Sequence, residues 1–212
     1  TGGSEDRAGA GQLIREAGRQ VFGGNVAGQA SDLADQAIHI AHENILNSLS
    51  GVNGRDTASE EGMWPKGTYA SEAYDFYFNA EGIQLIHMPS AHSDGDSIVY
   101  FRKSDVIAAG NLWDTTAYPR IDIARGGSIN GVVDGLTRII DLTIPGEKQE
   151  GGTVVVPGRG RVGDESDVVE YRDMLAIIRD RIKEMATKGM TLEQVKAARP
   201  TFDFDVRYGS NA

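Results

Sequence analysis

The residues best suited to chemistry lie in the short segment 89–97, which reads PSAHSDGDS. It carries the imidazole of His92 and the carboxylates of Asp94 and Asp96 on a turn that also contains Gly95. Apolar runs at 83–88 and 98–101 flank this turn and predict two strands on either side of it. Because strands anchor a loop while the loop presents its side chains, the segment predicts a site for a metal ion or a reacting group.

The elements around this loop follow from periodicity and from turn residues. Strands are predicted over 37–41, 74–79, 83–88, 97–101, 106–109 and 153–156, with an irregular surface loop over 51–68. Apolar spacing over 13–21 and 43–49, after Ser128, and from Val168 to Met185 predicts helices, the last one ending at Gly189. Thr191 and Gln194 form a capping box for a short final helix. Without a repeat or a composition boundary, the pattern indicates one layered α/β or α+β domain.

Composition restricts the partners. The 212 residues include 21 basic and 31 acidic side chains and no cysteine, for a net charge of −10. This charge opposes nucleic-acid binding, and no apolar run approaches the about 20 residues that cross a bilayer. We therefore expect a soluble protein with neither a nucleic-acid nor a membrane partner and without thiolate metal ligands. A periplasmic or extracellular location is favoured over a cytoplasmic one, and homo-oligomerisation stays open.

Three segments together resemble the second half of the metallo-β-lactamase-fold hydrolases. They are 91–101 (AHSDGDSIVYF), 106–113 (VIAAGNLW) and 154–160 (VVVPGRG), in the order and spacing of that family. Segments 40–44, 126–128 and 202–209 extend the resemblance over nearly the whole chain. The resemblance implies an αββα layered fold formed by a single domain over 1–212.

The chain begins with Thr1-Gly2-Gly3. In the family, a His-x-His-x-Asp-His motif that supplies four zinc ligands is directly followed by Thr-Gly-Gly. The resemblance then implies that the first sheet layer and these ligands lie upstream, in a segment missing from this sequence or in a separate chain, or were never part of the molecule. The alternative is a coincidental Gly-rich terminus.

The family's remaining ligands map onto three positions of this chain. His92 matches the third histidine of the first zinc site, while Asn111 stands where the family has a bridging aspartate and Arg159 where it has a histidine. A neutral amide is a poor bridge between two cations, and a guanidinium cannot ligate a metal. The resemblance therefore implies one zinc ion at most, with His92 as its ligand, and assigns no catalytic residue within the chain.

Three functional interpretations follow. In the first, a single zinc ion completed by an upstream motif activates water for attack on an ester or amide bond of a small-molecule substrate, and Arg159 holds an anionic group. In the second, the protein is a metal-free, inactive relative that serves in binding or assembly, with Arg159 paired to Asp94 or Asp96. In the third, which is compatible with either, the chain needs a complementary N-terminal segment to cover its sheet.

Supporting roles are predicted for several other residues. Asp96 is expected to hold the loop backbone or orient His92, or simply to stabilise the turn. Trp113 is expected to contact substrate or to pack, with Tyr118 and Arg120 on the same side of the site. Structural roles are favoured for the histidines, since His42 precedes a helix and His39 and His87 alternate with apolar strand residues.

Overall fold

The computed structural model describes residues 38–52, 54, 58–59, 61–149 and 151–209. The expected helix over 13–21 and the Thr1-Gly2-Gly3 terminus lie outside these residues. Within them, no helix combines the length and the apolar character that a membrane crossing requires.

A small unit at the start of the described chain combines two strands and one helix. Strand β1 (Ile40–His42) pairs in parallel with β2 (Gly67–Tyr69), and helix α1 (Glu43–Leu49) has the predicted bounds. The prediction of an irregular loop over 51–68 is wrong at its C-terminal end, because β2 begins at Gly67. A 3-10 turn at Glu61–Met63 also lies within the predicted loop. Parallel pairing with a distant strand leaves no mark on the local sequence.

The main sheet has five strands in the order β3-β4-β5-β6-β7. All neighbours are antiparallel except β6 and β7, which are parallel. Strand β6 runs five residues beyond the expected 106–109, since its pairing with β7 continues through an irregular register after Gly110. The strands are β3 (Ala73–Phe78), β4 (Glu81–Met88), β5 (Asp96–Phe101), β6 (Val106–Asp114) and β7 (Val154–Arg159).

Four helices follow β6 in the described chain: α2 (Ile129–Leu142), α3 (Glu165–Thr187), α4 (Leu192–Ala198) and α5 (Asp205–Tyr208). Helix α2 lies in the connection between β6 and β7, as parallel strands require. The Ser128 hydroxyl accepts a hydrogen bond from the Gly131 amide at 3.0 Å and so caps α2 as expected. The capping box of Thr191 and Gln194 also forms as the sequence predicts.

The hydrophobic core lies between one face of the five-stranded sheet and the helices α2 and α3. Side chains that alternate along β4, β5 and β6 point into it and meet the apolar stripes of both helices. Its largest buried members are Trp113, Tyr171, Ile98, Ile107, Leu112, Leu136 and Ile139. This layered α/β arrangement agrees with the predicted fold class.

The opposite face of the sheet is also apolar. The strand registers place two cross-strand rows on it, Tyr74-Leu85-Val99-Ala108-Val156 and Phe76-Ile83-Phe101-Val106-Val154. Leu85 and Ile83 are buried, whereas the other members of the rows are half-buried or exposed. Strands with apolar residues on both faces are typical of sheets covered on both sides.

Helix α2 begins in direct contact with the loop between β4 and β5. A Cβ atom at Gly131 would collide with the carbonyl groups of Ser90 and Pro89, so only glycine fits there. This contact sets how closely the start of α2 approaches the loop that carries His92.

We expect Gly131→Ala to destabilise the protein by about 1–3 kcal/mol, because the added methyl group overpacks a backbone contact. The sign is informative, since Gly→Ala inside a helix ordinarily stabilises by about 0.5–1 kcal/mol. Urea unfolding measures the change. Gly146→Ala is the control, because a Cβ atom there meets no other atom within 4 Å. A Gly131→Ala protein as stable as wild type would contradict the packing argument.

Candidate functional site

The loop 89–95 between β4 and β5, here called the His92 loop, is held by the backbone of segment 120–128. Its carbonyl and amide groups form hydrogen bonds of 2.8–2.9 Å with that segment. The bonds run from Asp122 N to His92 O, from Asp94 N to Arg125 O and from Ser128 N to Ser90 O. Backbone bonds of this kind fix the loop regardless of side-chain identity.

Two glycines allow the His92 loop to pack tightly on both sides. A Cβ atom at Gly127 would collide with the carbonyl group of His92, and one at Gly95 would collide with the side chain of Ile45 in α1. The loop is therefore wedged between α1 and segment 120–128. This rigidity gives His92 a defined position.

The His92 ring has one proton arrangement in its neutral form. Its Nδ1 lies 2.5 Å from the carbonyl oxygen of Arg120, which can only accept a hydrogen bond. Nδ1 therefore carries the proton, and the lone pair of the neutral ring lies on Nε2. A backbone carbonyl that fixes the tautomer in this way is common behind metal-ligating histidines.

Asp96 is fully buried at the start of β5 and holds the backbone of the loop. Its Oδ2 accepts hydrogen bonds from the Ser93 amide at 2.5 Å and from the Ser93 hydroxyl at 3.1 Å. Its Oδ1 has no hydrogen-bond partner among the described residues. Of the three expected roles, orienting His92 has no contact to support it, because His92 Nδ1 bonds to the Arg120 carbonyl, whereas the bonds to Ser93 agree with holding the loop or stabilising its turn.

Asn111 and Trp113 lie on β6 in different surroundings. Asn111 is half-buried just after Gly110, which has a φ of 57°. Trp113 is 1% exposed and packs in the core between the sheet and the helices. Trp113 thus occupies the place of a packing residue rather than of a substrate contact.

Arg159 ends β7, and its side chain is exposed. It lines a pocket of about 200 Å³ at the carboxyl ends of the parallel strands β6 and β7. In the part of the chain that the structure describes, neither Arg159 nor Arg120 forms an ion pair with a carboxylate at 4.0 Å or less. The pairing of Arg159 with Asp94 or Asp96, which the metal-free interpretation implies, is therefore not seen. The lining residues are Asp114, Ala117, Tyr118, Pro119, Arg120, Arg159 and Tyr208.

Tyr118 connects this pocket to the end of the chain. Its hydroxyl donates to the Thr201 carbonyl at 3.2 Å and to Asp205 Oδ1 at 3.0 Å. Burial, followed by the bond to Asp205, raises the pKa of Tyr118 to about 12. The phenol therefore stays protonated near neutral pH and acts as a hydrogen-bond donor that fixes the pocket wall.

The described residues do not form a zinc site by themselves. No group of three or more His, Asp or Glu side chains among them is arranged to hold a metal ion. His92 offers a suitable Nε2, while the amide of Asn111 and the guanidinium of Arg159 are unsuitable at the other two positions. The absence of a two-zinc centre therefore stays a prediction that rests on the resemblance, as does the assignment of His92 as a ligand.

One feature near the site was not found by sequence reasoning. The rings of His42 and His87 stack at a centroid distance of 3.6 Å with an interplanar angle of 7°. The two residues are 45 positions apart, and each looked like an isolated structural histidine. The alternation of His87 with Ile86 and Met88 on β4 indicates only that its ring points away from the core, and it does not identify His42 as the partner.

The fold of this chain is found in solved structures. A stereoselective inverting sec-alkylsulfatase from Pseudomonas sp. matches with a TM-score of 0.51 and 12% identity, over 64% of this chain and 22% of that one. A metallo-β-lactamase from Pontibacter korlensis matches with a TM-score of 0.46 and 17% identity, over 65% of this chain and 57% of the other. No protein-family model and no curated protein sequence matches.

These likenesses concern the fold alone, because the sequence identities are low. The chain has the layered α/β fold of the metallo-β-lactamase-fold proteins, as the sequence resemblance implies. It spans about a fifth of the alkylsulfatase and somewhat over half of the lactamase. The activity of those longer proteins is not carried over by the fold.

Substitutions of Asp96 test its role in the loop. Asp96→Ala leaves the amide and hydroxyl of Ser93 without their acceptor, and we expect it to cost about 1–3 kcal/mol of unfolding free energy. Asp96→Asn keeps one acceptor oxygen for Ser93 and should cost clearly less. Thermal and urea unfolding of the two variants measure the difference, and equal losses would contradict this assignment.

Proposed function

We propose that this chain is a metallo-β-lactamase-fold protein that binds a small anionic molecule in the pocket of Arg120 and Arg159, without a two-metal centre. The observation that carries the proposal is the position of Arg159. It ends β7 at the pocket, where the resemblance places a metal ligand, and no carboxylate of the described chain is paired with it. The permanent positive charge of Arg159 thus stands where the resemblance places a side chain that would bind a metal cation.

The charge balance of the pocket supports an anionic ligand. Two guanidinium groups face one carboxylate, that of Asp114, and this carboxylate already accepts hydrogen bonds from the Thr116 amide and hydroxyl. Guanidinium groups bind carboxylate, sulfate or phosphate groups through paired hydrogen bonds. The remaining wall is formed largely by Ala117, Pro119 and the rings of Tyr118 and Tyr208, which suits a ligand with a small apolar part.

Calorimetric titration with phenyl phosphate, and with phenol as the neutral control, tests this proposal. We expect binding of phenyl phosphate that weakens as salt is added, and no binding of phenol. Arg159→Ala should weaken the affinity by about tenfold or more, the usual worth of a charge-assisted hydrogen bond.

Arg102→Ala is the matched control, since Arg102 is exposed in the turn between β5 and β6, at the far end of β6 from the pocket. Equal affinity of wild type and Arg159→Ala, or undetectable binding of phenyl phosphate by wild type, would contradict an anion site at Arg159.

A second candidate function is hydrolysis of an ester or amide bond with a single zinc ion. The observation that favours it is the tautomer of His92, which leaves Nε2 free while Nδ1 donates to Arg120. The other ligands would have to come from outside the described residues. Arg159 would then bind the anionic part of the substrate.

Metal analysis separates the two candidates. For the metal-free binding protein we expect less than about a tenth of an equivalent of zinc after purification without chelator, because one imidazole is too few for a stable site. About one equivalent of zinc that is lost in His92→Ala would overturn this expectation and favour the hydrolase.

The third interpretation, in which a complementary N-terminal segment covers the sheet, stays a prediction. The two apolar rows on the second face of the sheet support it, because each side chain that stays accessible there exposes apolar area. A β-layer laid on these rows would bury that area.

A further inference from the structure

The stacked rings of His42 and His87 lie next to the His92 loop, which His87 contacts through the Asp94 carbonyl. His42 is 4% exposed at the junction of β1 and α1, and His87 is half-buried on β4. The rings of Tyr69 and His42 pack in a T-shaped arrangement at a centroid distance of 5.1 Å. This packing joins the small β1-α1-β2 unit to the main sheet.

The hydrogen bonds of the pair define its protons. His42 Nδ1 accepts a bond from the Asn44 amide at 3.3 Å, so this nitrogen carries no proton. His87 Nε2 lies 2.7 Å from the carbonyl oxygen of Asp94, which can only accept, so this nitrogen carries one. The side-chain amide of Asn44 donates to the same carbonyl at 2.9 Å.

These contacts connect the start of α1 to the His92 loop. The Asp94 carbonyl, two residues after His92, is held by both Asn44 and His87. The position of Asn44 depends in turn on the cap that His42 provides to α1. The unit formed by His42, Asn44, His87 and the Asp94 carbonyl is called the histidine clamp below.

We propose that the histidine clamp is a pH-sensitive device that holds the His92 loop closed while His42 is neutral and loosens it when His42 is protonated. A proton on His42 Nδ1 would place two donors opposite each other and remove the cap of α1. It would also put a positive charge against the stacked ring of His87. Both effects act on the two groups that hold the Asp94 carbonyl.

The charges around His42 favour its neutral form. Burial, and then repulsion by His87, lower its pKa below the ordinary 6.5. The Glu43 carboxylate, a hydrogen bond with the Ala70 backbone and the Asp94 carboxylate offset only part of this effect. The Tyr69 hydroxyl contributes no charge near neutral pH, because burial raises its pKa above 10. The unfolded chain therefore takes up a proton first, and the clamp loses stability as the pH falls below about 6.5.

Hydrogen exchange of the amides in segment 89–97 tests the proposal, with rates corrected for the intrinsic effect of pH. Between about pH 7.5 and about pH 5.5, we expect protection of the wild-type loop to fall severalfold, up to the limit of about tenfold that a single histidine can contribute over this range. His42→Asn keeps an acceptor at the cap of α1 but cannot titrate, so its loop should keep its protection over the same range.

His39→Asn is the matched control, because His39 lies on the same segment outside the clamp, and this variant should behave like wild type. A titration of the His42 ring by NMR in the wild-type protein decides the matter even if His42→Asn fails to fold. A His42 that titrates at or above 6.5, or equal acid opening of the loop in wild type and a folded His42→Asn protein, would overturn the proposal.

Discussion

The approach of two backbone segments without intervening side chains is the constraint on which the site depends. The His92 loop meets segment 120–128 and the start of α2 through hydrogen bonds between main-chain groups. Gly127 and Gly131 make this possible, since a Cβ atom at either would collide with a carbonyl group of the loop. These contacts attach the loop to the β6-α2-β7 unit. The Arg120 carbonyl, in the same segment, accepts the hydrogen bond that orients the His92 ring.

The side chains at the carboxyl ends of β6 and β7 carry more positive than negative charge. The pocket there is lined by the guanidinium groups of Arg120 and Arg159 and, among the described residues, by one carboxylate, that of Asp114. A permanent guanidinium disfavours a nearby cation and favours an anion. The backbone contacts that shape the site do not depend on the identity of these side chains, so the fold alone does not define the chemistry.

Much of the fold could be predicted from local patterns. The bounds of α1, the Ser128 cap and the capping box at Thr191 agree with the structure, because each depends on residues within one helical turn. The β4–β5 hairpin around His92 was predictable because two apolar strand segments flank a run of turn residues. Strand β2 was missed, and β6 was predicted too short, because their pairing depends on strands far away in the sequence.

The sequence by itself determined which side chains are available. They are His92 in the turn, the amide of Asn111 and the guanidinium of Arg159, together with an apolar pattern sufficient for a layered sheet. Only the tertiary structure decided what these side chains contact. In the structure Trp113 is buried in the core, Asp96 accepts a hydrogen bond from the Ser93 amide, and His42 stacks on His87, which is 45 residues away in the sequence. Such contacts arise from the packing of separate elements, and side-chain type alone does not encode which partners that packing brings together.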